Sequence, residues 1–146
     1  MEKQNRIRVK VLAWLQAEDY LFVVRMHDNV KGDDYYRPIG GSVEFGETTR
    51  DALLREVKEE LGTEIEITGA PLILENLFTC EGEQGHEIDY VYPSLFTDPS
   101  FNRHQSYLLT EADGNLFEAG WFELARFVKG ELRLVPEKLL EWHQNS

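Results

Sequence analysis

The chain has 146 residues, enough for one domain spanning 1–146 with an apolar core of its own. It carries 27 Asp and Glu against 15 Lys and Arg, a formal net charge of -12, which argues against a nucleic-acid polymer as partner because backbone phosphates need clustered cations. Its single cysteine, Cys80, excludes an internal disulfide and a cysteine-rich zinc site; the opening MEKQNRIRVK lacks a signal-peptide core and no apolar run approaches a membrane span, so a cytoplasmic location away from membranes is the expectation.

Residues 7–15 alternate Ile7, Val9, Val11, Ala13 and Leu15 with polar positions at Arg8 and Lys10, the period of a strand. Residues 17–19 turn the chain. Residues 20–26 (YLFVVRM) are apolar enough for a central strand. Residues 27–34, with Asp28, Asn29, Gly32 and two further acids, read as an exposed loop. Tyr35, Tyr36 and Arg37 then lead into Gly40-Gly41, a pair that permits close backbone approach, and Val43 and Phe45 alternate with Ser42 and Glu44.

Thr48 followed by Asp51 marks a helix start, with a hydroxyl to cap a free N–H and an acid in the first turn. Residues 52–61 are good helix formers, and Gly62 is placed for a left-handed cap. On the helical wheel Leu53, Leu54, Val57 and Leu61 share an arc of about 100°, the predicted buried stripe, and Glu56, Glu59 and Glu60 share a second arc beside it. Those acids repel at spacings of three and four, by a few tenths of a kcal/mol per pair (roughly), and sit toward the negative end of the helix dipole. A hard divalent cation would offset that repulsion better than Arg55 alone.

Further on, residues 64–68 and 72–79 read as strands, with Cys80 just past the second, and residues 81–85 as a turn. Residues 86–96 form another strand, in which Pro93 implies an edge or a bulge. Residues 97–115 read as a loop with room for a short helix. Lys129-Gly130 turns the chain, residues 132–135 offer a short strand, and Pro136 opens a last helix to about Gln144. Hairpin and crossover connections together give an α/β class: a mixed sheet covered on both faces.

Between Gly41 and Thr63 the spacing is G-x5-E-x7-R-E-V-x-E-E-x-G, carried by Gly41, Glu47, Arg55, Glu56, Val57, Glu59, Glu60 and Gly62. This resembles the Nudix box of hydrolases that cut nucleoside diphosphates linked to another group. Chance agreement is on the order of 10⁻⁹ per starting position. One position departs: the box usually ends on an aliphatic residue, and Thr63 stands there. Residues 118–124 (EAGWFEL) resemble the late strand of the same family.

The resemblance implies an α/β/α sandwich with the box as loop, helix and loop, and a MutT-like pyrophosphatase that uses Mg²⁺ or Mn²⁺. It implies Glu56, Glu59 and Glu60 as metal ligands, with the Gly41 carbonyl as a further one. It assigns the general base to Glu56 or Glu59, with Glu56 preferred, and a Glu47–Arg55 pair that orients the loop, which places Arg55 with the catalytic set. Of the acids outside the box, Glu87, Glu111 and Glu118, the last fits the family placement best as a distal ligand. Tyr35, Tyr36 and Arg37 beside the box loop are the candidate substrate contacts. Residues 78–82, Phe-Thr-Cys-Glu-Gly, match neither the ADP-ribose nor the diadenosine polyphosphate pattern, which moves nucleoside triphosphates or a broad nucleotide range forward. The expected partner is a small-molecule nucleotide, with a homodimer left open. The rival reading is a nucleotide-sensing module that keeps the fold and not the catalysis.

Overall fold

The computed structural model describes residues 5–111 and 113–145. Strand β1 (Arg8–Ala17) turns tightly into β2 (Tyr20–Asp28), and β3 (Asp33–Arg37) and the short β4 (Gly40–Ser42) follow. Helix α1 (Thr49–Leu61) comes next, then β5 (Ile65–Ile67), β6 (Leu72–Cys80), β7 (Glu83–Phe96), a 3-10 turn at Pro99–Asn102, β8 (Tyr107–Thr110) and β9 (Leu116–Glu123). Helices α2 (Leu124–Val128) and α3 (Lys138–Gln144) close the chain. Among the described residues, none of the helices is long and apolar enough to cross a membrane.

The strands form one mixed, nine-stranded sheet among the described residues, ordered β5-β7-β1-β2-β9-β8, with β3 on β2, β4 on β1 and β6 on β7. Its one parallel pair joins β1 to β7, from Arg8 opposite Glu87 to Leu15 opposite Ser94. The two faces carry separate cores. Val11, Ala13, Leu15, Phe22 and Tyr92 meet Leu53 and Val57 of α1 on one side. Leu12, Trp14, Leu74 and Val91 meet Phe127 of α2 and Leu139 of α3 on the other. The expected sheet between helical layers is therefore present, and β1 is apolar on both faces because both are covered.

Several details differ from the sequence reading. The exposed loop 27–34 shrinks to four residues, because β2 runs on to Asp28 and pairs it with Asp33. Asp28, 2% exposed, makes that turn possible: its carboxylate accepts from the N–H groups of Val30, Lys31 and Glu81. Pro93 lies in a central strand, not at an edge. β6 pairs β7 only as far as Val91 and β5 takes over at Ser94, so the missing N–H falls where one partner ends and the next begins. Loop 97–115 holds the 3-10 turn and β8, whose four residues are too few for periodicity to register. Residues 132–135 give only a bridge between Tyr36 and Leu134. On α1, Leu54 faces solvent, and Ala52 and the carboxyl-bearing Glu60 are buried in its stead.

Candidate active site

Helix α1 begins as its sequence predicts, with Thr48 accepting from the Asp51 N–H at 3.0 Å, and ends at Gly62 with φ of 69° and its N–H on the Lys58 carbonyl. The loop before it is tied down by one guanidinium. Arg55 donates to the Glu47 carboxylate at 2.6 and 3.0 Å and to the Ser42 carbonyl at 3.1 Å, while Glu47 accepts the Glu44 N–H at 2.9 Å. The same Arg55 reaches Glu56 at 3.0 Å and Glu59 at 3.2 Å. Arg55 holds Glu47 below the usual carboxylate range, and Glu47 in return raises Arg55. The loop, the helix and two acids are thus fixed to one another through a single planar donor fork.

Two glycines bring the backbone against this helix. A methyl group on Gly40 would stand 1.9 Å from the Val11 carbonyl oxygen, so β4 packs on β1 only without one. At Gly41 it would stand 2.3 Å from the Glu56 carboxyl carbon. The strand therefore lies flush against the Glu56 carboxylate. Replacing Gly41 by Ala is expected to push that flexible carboxylate aside and cost about 10²-fold in turnover, the scale of a 1 Å misplacement, with little change in melting temperature. Turnover and a melting curve measured on the same preparation check it; an unchanged rate would detach Glu56 from the chemistry.

Glu60 is set apart from its neighbours. It is only 7% exposed, and its Oε2 has no hydrogen-bond partner. Burial, then a hydrogen bond with Glu111, pushes its pKa up to about 9. Glu111 lies just beyond β8 and accepts from Arg37 at 2.6 Å. Of the three candidate acids Glu87, Glu111 and Glu118, Glu111 is thus the one that meets Glu60 of the helix, and the preference for Glu118 is corrected. Strand alternation in β9 sends Ala119 into the first core and turns Glu118 to solvent, in a separate shallow depression with Arg25 and His104. Nothing local in the sequence singled out Glu111 because β8, which delivers it, left no pattern.

Gly41, Arg55, Glu56, Glu59, Glu60 and Glu111 line one end of a cleft of about 1130 Å³. Glu59 stands at its mouth, with 60% of its side chain exposed. Tyr35 and Arg37 also line the cleft, and the half-buried Tyr35 hydroxyl lies 3.3 Å from the Cys80 sulfur. Tyr36 does not. It is buried in the second core against Phe122 and Phe127, because adjacent residues of β3 point to opposite faces, and the expectation that it contacts substrate is corrected. Lys10, Lys31, Arg133 and Lys138 stand among the acids of the same walls. Among the described residues, no three His, Cys, Asp or Glu are drawn together as a preformed metal cage. Arg55 holds Glu56 and Glu59 instead.

A family model described as the NUDIX domain matches residues 6–143, nearly the whole chain and the whole of this cleft. The chain belongs to the NUDIX-domain family. By class it is a hydrolase acting on pyrophosphate bonds, and Nudix enzymes generally use divalent metal ions. Solved structures agree on the fold. A NUDIX hydrolase from Nitrosomonas europaea superposes with a TM-score of 0.65 at 18% identity, over 96% of this chain and 90% of that one. A NUDIX-family hydrolase from Clostridium perfringens gives 0.61 at 18% identity, over 92% of each chain. A MutT protein from Bacillus halodurans gives 0.57 at 16%, over 92% of this chain and 80% of that one.

Proposed function

We propose that this Nudix domain hydrolyses the pyrophosphate bond of a small nucleotide, a nucleoside triphosphate or a nucleoside diphosphate linked to another group, with Mg²⁺ or Mn²⁺. The observation that carries the reading is that Glu56, Glu60 and the Gly41 backbone, which lies against the Glu56 carboxylate, line one cleft. The donors fit such an ion. They are oxygens of carboxylates and a backbone carbonyl, the set a hard divalent cation takes, and the unpartnered Glu60 Oε2 leaves one such oxygen open. Gly41, Glu56, Glu59 and Glu60 would hold the metal, with Glu111 in the position first given to Glu118. When bound, it supplies charge neutralisation at the phosphates and acidification of an attacking water.

The protein's own groups do the rest. Glu56 takes the proton of the attacking water as its oxygen bonds to phosphorus and the bridging P–O bond breaks. Arg55 is a positioning residue, since its bonds to Ser42, Glu47 and Glu56 fix the base against the box loop. Arg37 and Lys10, which line the same cleft, are the cations available to the phosphate chain. The absence of a preformed cage among the described residues favours a metal that completes its shell with phosphate oxygens, as Mg²⁺ commonly does.

The test is a screen of the purified protein with Mg²⁺ or Mn²⁺ over nucleoside diphosphates, triphosphates and nucleoside diphosphate sugars, with product phosphate read after inorganic pyrophosphatase for the triphosphates and after alkaline phosphatase for the sugars. Metal-dependent release from at least one class is expected. Nucleotide binding without any turnover would establish the rival reading, a nucleotide-sensing module.

A further inference from the structure

Strands β1 and β2 pair at their turn, Gln16 with Leu21 and Ala17 with Tyr20, and then part. From there β1 carries β4 and β7, with β6 beyond, and β2 carries β3 and β9. The cleft lies between these two halves, with Tyr35 and Arg37 on one wall and residues 75–80 on the other. Glu56, Glu60 and Gly41 occupy one end. At the other end β3 and β6 are not paired, and side chains tie the turn after β2 to the turn after β6. The buried Asp28 carboxylate serves both turns. Its Oδ1 accepts from the N–H groups of Val30 and Lys31 at 2.9 and 3.0 Å, and its Oδ2 from the Glu81 N–H at 3.2 Å. The Glu81 carboxylate returns the contact, accepting from the Asn29 N–H at 3.0 Å and from its side-chain amide at 3.1 Å. Lys31 donates to the Thr79 carbonyl at 3.0 Å. Leu74 stands level with Ser42 of the box loop, through Asp89 and Lys10, and Cys80 is six residues further along β6, so this strap lies roughly 20 Å from that loop.

Glu81 is the odd residue of the strap. Its turn with Gly82 has φ of 53° and 75°, the left-handed pair that favours Asn, Asp or Gly in the first place. A glutamate gains nothing from that backbone, and such strain persists only where the surroundings hold it. Here Asp28 and Asn29 hold it. Asn29, Lys31 and Glu81 are all exposed, so little apolar burial backs the strap and core packing does not account for it. A cleft whose walls belong to two parted halves, by contrast, needs a tie at the end where no strand pairing joins them. We propose that Asp28 and Glu81 are positioning residues for the substrate: their strap holds the two walls at the separation that the part of the nucleotide beyond its phosphates requires. The acids of α1 lie at the other end, so the strap acts on binding and not on the chemical step. The inference rests on the nucleotide reading above and adds what keeps the cleft preformed.

The measurement sets two ligands against each other in Mg²⁺: whichever of ATP, GTP, CTP and UTP is bound best, and inorganic tripolyphosphate, which has no nucleoside to reach the strap. For the nucleotide kcat and KM are read, with Kd by calorimetry for its α,β-methylene analogue and for tripolyphosphate. Glu81→Gly removes the carboxylate, and glycine suits the φ of 53°, so the variant should melt within a few degrees of wild type. It should raise KM and Kd for the nucleotide about tenfold, the effect of walls that stand at the working separation only about a tenth of the time. Its kcat should stay within a few-fold, and its Kd for tripolyphosphate should not move. Glu81→Gln keeps an acceptor for Asn29 and should match wild type. Asp28→Asn keeps one acceptor for Val30 and Lys31 but turns an NH₂ group toward the Glu81 N–H, and should behave as Glu81→Gly does. Should it fail to fold, the two Glu81 variants decide the matter. Unchanged KM and Kd in Glu81→Gly overturn the proposal, as do a kcat that falls as far as KM rises, tripolyphosphate weakened equally, or Glu81→Gln behaving as Glu81→Gly. The expected pattern in Kd without any turnover would leave this inference standing and remove the hydrolase reading; a wild-type chain that binds none of the four nucleotides removes both.

Discussion

Glu56→Gln lowers turnover by about 10²-fold or more and leaves the fold intact. The side chain keeps its length, and an amide oxygen can still accept from Arg55, which donates to Glu56 at 3.0 Å. One repulsive partner of Glu60 disappears as well, four residues along the same helix. What the amide cannot do is take a proton from water or bind a divalent cation as an anion, and losses of an acid–base group are commonly of this size. Glu59→Gln should cost less, because that carboxylate is largely in solvent. Single-turnover rates for the two variants, beside their melting curves, decide the assignment. A Glu56→Gln protein of near-normal rate, with Glu59→Gln inactive, would move the base to Glu59.

The box was legible because its physics is local. The Thr48 cap, the Gly62 stop and the Glu47–Arg55 pair all lie within one short stretch, where spacing alone fixes which groups can meet. The sheet was legible in outline for the same reason, since β1, β2, β6 and β7 are long enough for their patterns to show. The errors lie where contacts are distant in sequence. Arg37 and Glu111 are separated by 74 positions, and only the pairing of β8 with β9 brings that acid to α1. Tyr35 and Tyr36 differ by one residue and point to opposite faces, which composition cannot order without the register of β3 on β2. On α1, the wheel gives the width of the buried arc but not its centre. The wheel puts Leu54 on the buried stripe and Glu60 on the arc beside it, and the packing of α1 on β1 and beside β8 exposes the first and buries the second. The reversal turns a carboxyl inward beside Glu111, where burial and charge act together.

That inward carboxyl sets the pH dependence of stability. The folded chain holds the Glu60 proton to about pH 9, whereas the unfolded chain releases it near the ordinary carboxylate value of 4.5. A raised folded pKa means that the stabilisation is complete below 4.5 and is lost as pH rises toward 9. Asp89 acts in the same direction, between 3.8 and about 8. Glu47, Asp28 and Asp34 act oppositely, because their lowered values protect the fold only above the usual carboxylate range and fail in acid. The metal-free protein should therefore be most stable near pH 5 and lose on the order of several kcal/mol by pH 9. A divalent ion reverses the slope, since it binds the ionised form and must displace the Glu60 proton. Its stabilisation is about 2.7 kcal/mol at a hundredfold excess over Kd, or roughly 5–10 °C in melting temperature for a chain of this size, and it grows from pH 6 to pH 9. Glu60→Gln should flatten the metal-free profile and remove most of the gain from metal. Thermal melts in EDTA, Mg²⁺ and Mn²⁺ at pH 5, 7 and 9 read both effects. A metal-free profile that does not fall from pH 5 to pH 9 would mean that Glu60 is ionised in the free protein. Curves that superimpose with and without metal at pH 9 would mean that the ion enters only with the phosphates of the nucleotide, with Arg55 still holding Glu56 and Glu59 until it does.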